Sequence, residues 1–272
     1  MPFVDLASGT KVWMKEKGAG KPILFVHGWP LSGKPYHNQL AGLSDEHHVL
    51  TIDLPGFGQS PPLEETVTIK GLATAVRDML DALDLSDVFM IGWSMGGGVT
   101  FSYFQSFGSH RLRAAGIIDD VAMLLPGDDW IHGVDTPWSM DDLDEWRERV
   151  YGGDLRGIAT DVATAEFRYP DRHADSIELI INESARADPR SAVEAAEDVF
   201  PADYRPVLGT MDVPVQLLYG ETSNMTMPKT GPYMVEMIPE AELVLFKDSG
   251  HNPHLEEPDH FNEVVGDFAK RV

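Results

Sequence analysis

The sequence contains no cysteine. That excludes disulfides, thiolate metal sites and a cysteine nucleophile. Basic residues are scarce: 21 Lys and Arg stand against 44 Asp and Glu, a formal charge of −23. A chain so poor in cations lacks the footprint that nucleic acid or an anionic membrane requires, so neither is expected as a partner. The acidic surplus suits a neutral or cationic substrate and, more simply, a well-solvated surface. Long apolar runs are missing as well. The opening Met1-Pro2-Phe3-Val4-Asp5 has no basic stretch and no extended apolar segment, so a soluble, cytoplasmic protein is the expectation. No internal repeat, P-loop or metal-ligand cluster stands out, and Gly96-Gly97-Gly98 lacks the spacing of a dinucleotide fingerprint. No cofactor and no metal are expected.

What is present is a rhythm. With 272 residues and 43% hydrophobic content, the chain is long enough for one large domain, or one domain with an insertion. Val4-Asp5-Leu6 and Lys11–Lys15 read as short strands around Ser8-Gly9-Thr10. Ile23–Val26, His48–Ile52, Val88–Ile91, Leu112–Ile118, Val213–Tyr219 and Ala241–Phe246 read as further strands, several of them continuously apolar. Helical periods fall between them, at Tyr36–Leu43, Thr68–Leu83, Gly96–Phe107, Lys229–Met237 and Pro258–Arg271. Alternation of this kind means an eight-stranded, mostly parallel sheet with helices on both faces, with ligands bound at the carboxyl ends of the strands.

The rhythm fails from 121 to 205, where acidic helical stretches (Met140–Val150, Asp154–Arg168, Ser176–Ala187, Ser191–Val199) are punctuated by Pro126, Pro137, Pro170, Pro189 and Pro201. This segment is expected to be a helical cap on a core made of 1–120 and 206–272. Its Trp130, Ile131, Trp138, Met140, Trp146, Phe167 and Tyr169 either wall an apolar pocket or form the cap's own small core.

The most specific stretch is Gly92-Trp93-Ser94-Met95-Gly96-Gly97, a G-x-S-x-G between a strand and a helix. Such a turn lifts a serine hydroxyl out of the top of a sheet, and glycine is needed where the backbone passes its neighbours closely. By itself the pattern is also compatible with a tight glycine turn and a capping serine. It has company in His27-Gly28-Trp29-Pro30, Asp53-Leu54-Pro55-Gly56-Phe57-Gly58-Gln59-Ser60, and Ser249-Gly250-His251 followed by Glu256 and Pro258.

Four motifs in this order resemble the α/β-hydrolase superfamily along the whole chain, and within it the arylesterase and cofactor-free haloperoxidase-like branch. The resemblance implies a serine hydrolase cleaving carboxylic esters or lactones. Ser94 would be its nucleophile and His251 its general base. The backbone N–H groups of Trp29 and Met95 would be oxyanion donors, with both side chains on the pocket floor. It makes His27 a structural hydrogen-bonder and His254 a weaker rival for the base, and it makes Asp53 and the Gly56–Gly58 loop structural.

The triad acid is where the chain departs from the family. Three residues after Gly220, where the family carries aspartate, stands Ser223. The acid then comes from Asp119 at the end of the preceding strand, with Asp120 as its neighbour and rival, or from Glu221, or the site runs as a dyad. Two other readings stay open: a cofactor-free ring-cleaving dioxygenase using a His/Asp pair, and a ligand-binding receptor on an inactive scaffold. The expected partner is a small ester or lactone with an apolar or aromatic part, and a homo-oligomer is left open.

Overall fold

The computed structural model describes residues 2–125, 130–134 and 140–272. Pro126, Pro137 and Trp138 lie outside the described residues, as does the side chain of Met140. The first half of the chain runs β1 (Phe3–Asp5), β2 (Lys11–Lys17), β3 (Pro22–Val26), α1 (His37–Gly42), β4 (His48–Asp53), α2 (Ile69–Ala82), β5 (Val88–Trp93), α3 (Met95–Phe107) and β6 (Leu112–Ile118). Five helices follow: α4 (Met140–Tyr151), α5 (Leu155–Glu166), α6 (Ala174–Ser184), α7 (Pro189–Val199) and α8 (Arg205–Leu208). The chain closes with β7 (Val215–Gly220), α9 (Thr230–Met237), β8 (Ala241–Phe246), α10 (Pro253–Glu256) and α11 (Pro258–Arg271).

All eight strands join one sheet in the order β1-β2-β4-β3-β5-β6-β7-β8. β1 and β2 pair antiparallel with each other, as do β2 and β4, and every later pair is parallel. The apolar runs are read correctly as strands buried on both faces, because successive side chains enter two separate cores. Leu24, Val26, Met90 and Ile117 face the cluster that α2 and α3 complete with Leu72, Val76 and Val99. Ile23, Phe25, Ile91 and Ile118 face the other, completed by Leu40 of α1 and by Phe261 and Val265 of α11. Each such side chain taken fully from water contributes about 1.5–3 kcal/mol.

Between β6 and β7 the only β-pairing among the described residues is an isolated bridge from Met123 to Asp203. The helices there are seated by their acids. Asp198 accepts the Ile69 N–H and Glu194 the Val67 N–H, which brings two carboxylates to the N-terminus of α2, where the helix dipole favours them. Glu183 holds Ser32 Oγ at 2.8 Å and Lys34 Nζ at 2.8 Å. Part of the acidic excess is thus fastening rather than solvation. The element ends shift by a few residues from the sequence reading. β7 starts after Pro214 and not at Val213, and α7 starts earlier, with Asp188 accepting from Ser191 N and Pro189 in the first turn. The short α8 and α10 escape a periodicity argument because four residues carry no period. No helix among the described residues is long and apolar enough to cross a membrane.

Candidate active site

β5 delivers its last residue, Trp93, into the core and Ser94 into the corner before α3. Ser94 sits at φ 52° and ψ −124°, a left-handed conformation costly for any residue with a Cβ. The neighbours enforce it. A Cβ at Gly92 would overlap the Gly96 carbonyl, and one at Gly96 would overlap the Val26 carbonyl at the end of β3. Ser94 N donates to Ile118 O at 3.1 Å, and Ser94 O accepts from Gly97 N at 2.6 Å, so the corner is pinned to β6 on one side and opens α3 on the other. Met95 is the first residue of α3, and its N–H has no acceptor within the helix.

The 27–30 loop presses on this corner: a Cβ at Gly28 would stand 3.2 Å from Ser94 Cβ. His27 holds the loop. Leu54 N donates to its Nε2 at 3.0 Å, so Nδ1 carries the proton and donates to Gly28 O at 2.8 Å. Burial pushes the His27 pKa down to about 4, which keeps that neutral tautomer in place. Asp53 braces the same region, accepting from Gly33 N and Gln59 N at 2.8 Å each. Trp29 turns its indole toward the helical segment. Nε1 donates to Ala192 O at 2.7 Å, and the ring stacks on Trp146 with centroids 5.3 Å apart.

His251 arrives on the loop after β8. Its Nδ1 lies 2.5 Å from Asp119 Oδ2, and both side chains are buried. Asp119 follows β6 directly, with φ 45° and its N–H bonded to Leu218 O of β7. Its carboxylate is saturated: Ser223 Oγ donates to Oδ2 at 2.5 Å and Thr226 Oγ1 to Oδ1 at 3.0 Å. Ser223, which the sequence offered only as a missing acid, thus becomes a hydrogen-bond donor to the acid that is there. Of the rival carboxylates, Glu221 is exposed on the far side of its turn. Asp120 is buried with its carboxyl against Gly97, and burial raises its pKa to about 7.

Burial works against a charge on His251, but the hydrogen bond and charge of Asp119, with Glu166 and Asp120 beyond it, outweigh that and leave its pKa raised. The loop itself is clamped by Glu256, whose Oε1 accepts from Gly250 N at 2.8 Å and Asn252 N at 3.3 Å, while Oε2 accepts from Arg168 N at 2.8 Å. Burial raises the Glu256 pKa to about 7. His254 belongs to the core instead. It is fully buried against Trp93, Tyr36 and Phe261, and burial drives its pKa well down.

Ser94, His251, Trp29 and Trp93 line one cavity of about 20 Å³, room for about one water. Its other wall comes from α5 and α6, through Ala159, Val162, Ala163, Ile180 and Glu166. One expectation needs correction, and one alternative left open is decided. Met95 does not line this cavity: its side chain is buried in the core on the α3 side, because the first residue of a helix leaving the corner points back under the sheet end. The described aromatics of the helical segment do not line it either. Trp146 packs on Trp29 and Phe200, Trp130 on His132 and Tyr233, and Phe167 on His173, so they serve packing within the segment and against the sheet domain. The residue that sequence reasoning missed is Glu166, whose only signal was its place at the end of a helical period. Among the described residues, no group of three or more His, Asp or Glu side chains is arranged to hold a metal ion.

The geometry has counterparts. The α/β hydrolase fold family model matches residues 21–258. The non-heme chloroperoxidase CPO-A1 of Kitasatospora aureofaciens is 26% identical over 264 residues, 92% of this chain and 92% of that protein. An esterase from Exiguobacterium antarcticum superposes with a TM-score of 0.90 at 22% identity, over 98% of each chain. The enol-lactonase of Burkholderia xenovorans LB400 gives 0.85 at 21% identity, over 99% of this chain and 100% of that one. A match over most of the length, on a sheet that carries Ser94, Asp119 and His251 at its strand ends, leaves one assignment: the chain belongs to the α/β hydrolase fold family and is an enzyme of the α/β-hydrolase type.

Proposed function

We propose that this protein is a serine hydrolase of small carboxylic esters or lactones. The observation that carries the reading is the 2.5 Å contact between His251 Nδ1 and Asp119 Oδ2, in a site where His251 and the strained Ser94 line the same cavity. Held at Nδ1 by a carboxylate, the imidazole presents Nε2 as its free base. Ser94 Oγ attacks the carbonyl carbon and its proton passes to His251. The tetrahedral oxyanion is received by the N–H groups of Met95 and Trp29. Collapse breaks the bond to the alkoxy group, which leaves as the alcohol with the proton from His251. Water then attacks the acyl-enzyme, gives a proton to His251, and releases the acid as Ser94 regains its hydrogen.

In this reading the helical segment 121–205 acts as a cap whose α5 and α6 set the acyl pocket. The small cavity supports short acyl groups, and its apolar wall supports an apolar contact with the substrate. A fluorophosphonate probe should label Ser94, and p-nitrophenyl acetate should be cleaved faster than its octanoate homologue. A Ser94→Ala variant retaining the parental rate would overturn the assignment.

The His251–Asp119 pair is also what a cofactor-free ring-cleaving dioxygenase uses, so a second reading stands on the same contact. Oxygen uptake with a hydroxyquinolone that survives Ser94→Ala would favour it.

A further inference from the structure

α5 ends inside the cavity, and its last residue is a carboxylic acid. Glu166 O accepts the backbone N–H of His251 at 2.8 Å, so the end of the helix is fastened to the base itself. The Glu166 side chain lines the same cavity as Ser94, among Ala159, Val162, Ala163 and Ile180. Local structure does not reward a carboxylate there. The C-terminus of a helix carries the negative end of its dipole, which disfavours an anion. Desolvation raises the Glu166 pKa, the charge on His251 and the Asn252 carboxamide oppose that, Asp119 adds to it, and the net shift is upward. Asn252 lies close by and is fully buried, yet neither polar atom of its carboxamide makes a hydrogen bond of ordinary geometry. An acid set in a mostly apolar wall that opens on Ser94 is accounted for by something that enters the cavity.

We propose that Glu166 is a specificity determinant, which admits esters carrying a protonated amine or similar N–H donor near the scissile carbonyl and rejects those carrying a carboxylate. A cationic donor placed against it forms a charge-assisted hydrogen bond in a desolvated site, whereas an anionic substrate meets an unrelieved like charge. The net charge of −23 draws cations toward the molecule in the same sense. The chemistry performed on such an ester rests on the serine-hydrolase reading, but its recognition does not.

The test separates the two. Ethyl 3-(dimethylamino)propanoate and ethyl 4-methylpentanoate have nearly the same shape and differ in the charged nitrogen on the acyl side, and monoethyl succinate carries the opposite charge there. Binding of all three is measured at pH 7 by calorimetry on Ser94→Ala, which cannot form the acyl-enzyme. The amine should bind about tenfold or more tightly than its carbon isostere and the carboxylate more weakly than both. Adding Glu166→Gln should bring the amine and the isostere within threefold of each other. Any effect of that change on His251 acts on both esters and cancels in the ratio. If Glu166→Gln folds poorly, the three affinities on Ser94→Ala alone still decide. Equal affinities for amine and isostere overturn the proposal. Wild-type protein that cleaves none of the three esters while keeping the affinity order breaks the hydrolase reading and leaves this one standing.

Discussion

The strand ends and the helical segment above them solve opposite problems. At the strand ends every functional side chain is over-determined. Ser94 is held by backbone overlap on two sides, Asp119 by Leu218 O, Ser223 and Thr226, and the His251 loop by two N–H bonds to Glu256. In the helical segment the cavity wall is built mostly from apolar side chains, with Ser184 and one acid, Glu166, among them. Its ion pairs lie at the surface, such as Arg147 with Asp144 and with Glu197. On the proposed function, chemistry is fixed by the backbone of the first region and selection is left to side chains of the second, which can change without disturbing the reacting atoms.

The largest effect should come from loosening the first region at its tightest point. Gly92→Ala drives a Cβ into the Gly96 carbonyl, a backbone atom that cannot swing aside. A loss of about 3 kcal/mol or more is expected, lowering the melting temperature by roughly 10 °C. A circular dichroism melt within two or three degrees of the parent would mean that the corner is not over-determined.

Asp119→Asn should leave the fold intact and cost about 10⁴-fold in kcat/KM, because the amide no longer fixes the imidazole in the productive tautomer. Its pH profile sharpens the point. His251 must be neutral to accept a proton, so activity rises with pH through its pKa. That pKa is raised in the parent, which places the acid limb above the 6.5 of an ordinary histidine. Asp119→Asn removes the hydrogen bond and charge that raise it while burial remains, so the acid limb should move to lower pH even as the rate collapses. An unmoved limb would detach Asp119 from His251.

A smaller effect is expected at Ser223, where sequence and structure differ in an instructive way. The eight strands, and Ser94 and His251 as candidates, were legible because each is written in a contiguous pattern: apolar runs, a glycine-flanked serine, a histidine after the last strand; the order of the strands in the sheet was not. The acid was legible only as alternatives, since nothing local says which carboxylate meets a ring on another loop. Ser223 looked like an absence. In space it donates to Asp119 Oδ2 and accepts from Met225 N at 3.0 Å, so the loop that lost the acid now supports its replacement. Glu166 was illegible for the same reason, being one acid among 44 until α5 is seen to end at His251. Ser223→Ala should lower kcat/KM roughly 10- to 100-fold, the worth of a buried hydrogen bond to a charged group, with KM little changed. A change confined to KM would place Ser223 with the binding wall instead.

The smallest effects lie in the helical segment, and two adjacent residues of α4 divide them. Arg147 bridges α4 to α7 through Glu197 at 2.5 Å, but the Arg147 side chain is 40% exposed and that of Glu197 36%. Water and salt screen a pair of that kind, so Arg147→Ala should barely move the melting temperature and leave kcat/KM where it was. Trp146 stands one residue earlier and faces inward. It stacks on Trp29, the residue whose N–H follows Gly28 over Ser94, and it meets Phe200 edge-on. Removing an aromatic pair costs about 0.5–1.5 kcal/mol beyond the area exposed. Here the loss falls on the loop proposed to receive the oxyanion, so Trp146→Ala should lower kcat/KM roughly 3- to 10-fold through kcat. Measured side by side, the two variants ask whether the helical segment touches the chemistry only where it touches Trp29. If both change kcat alike, the division between a fixed reacting frame and a variable wall does not hold.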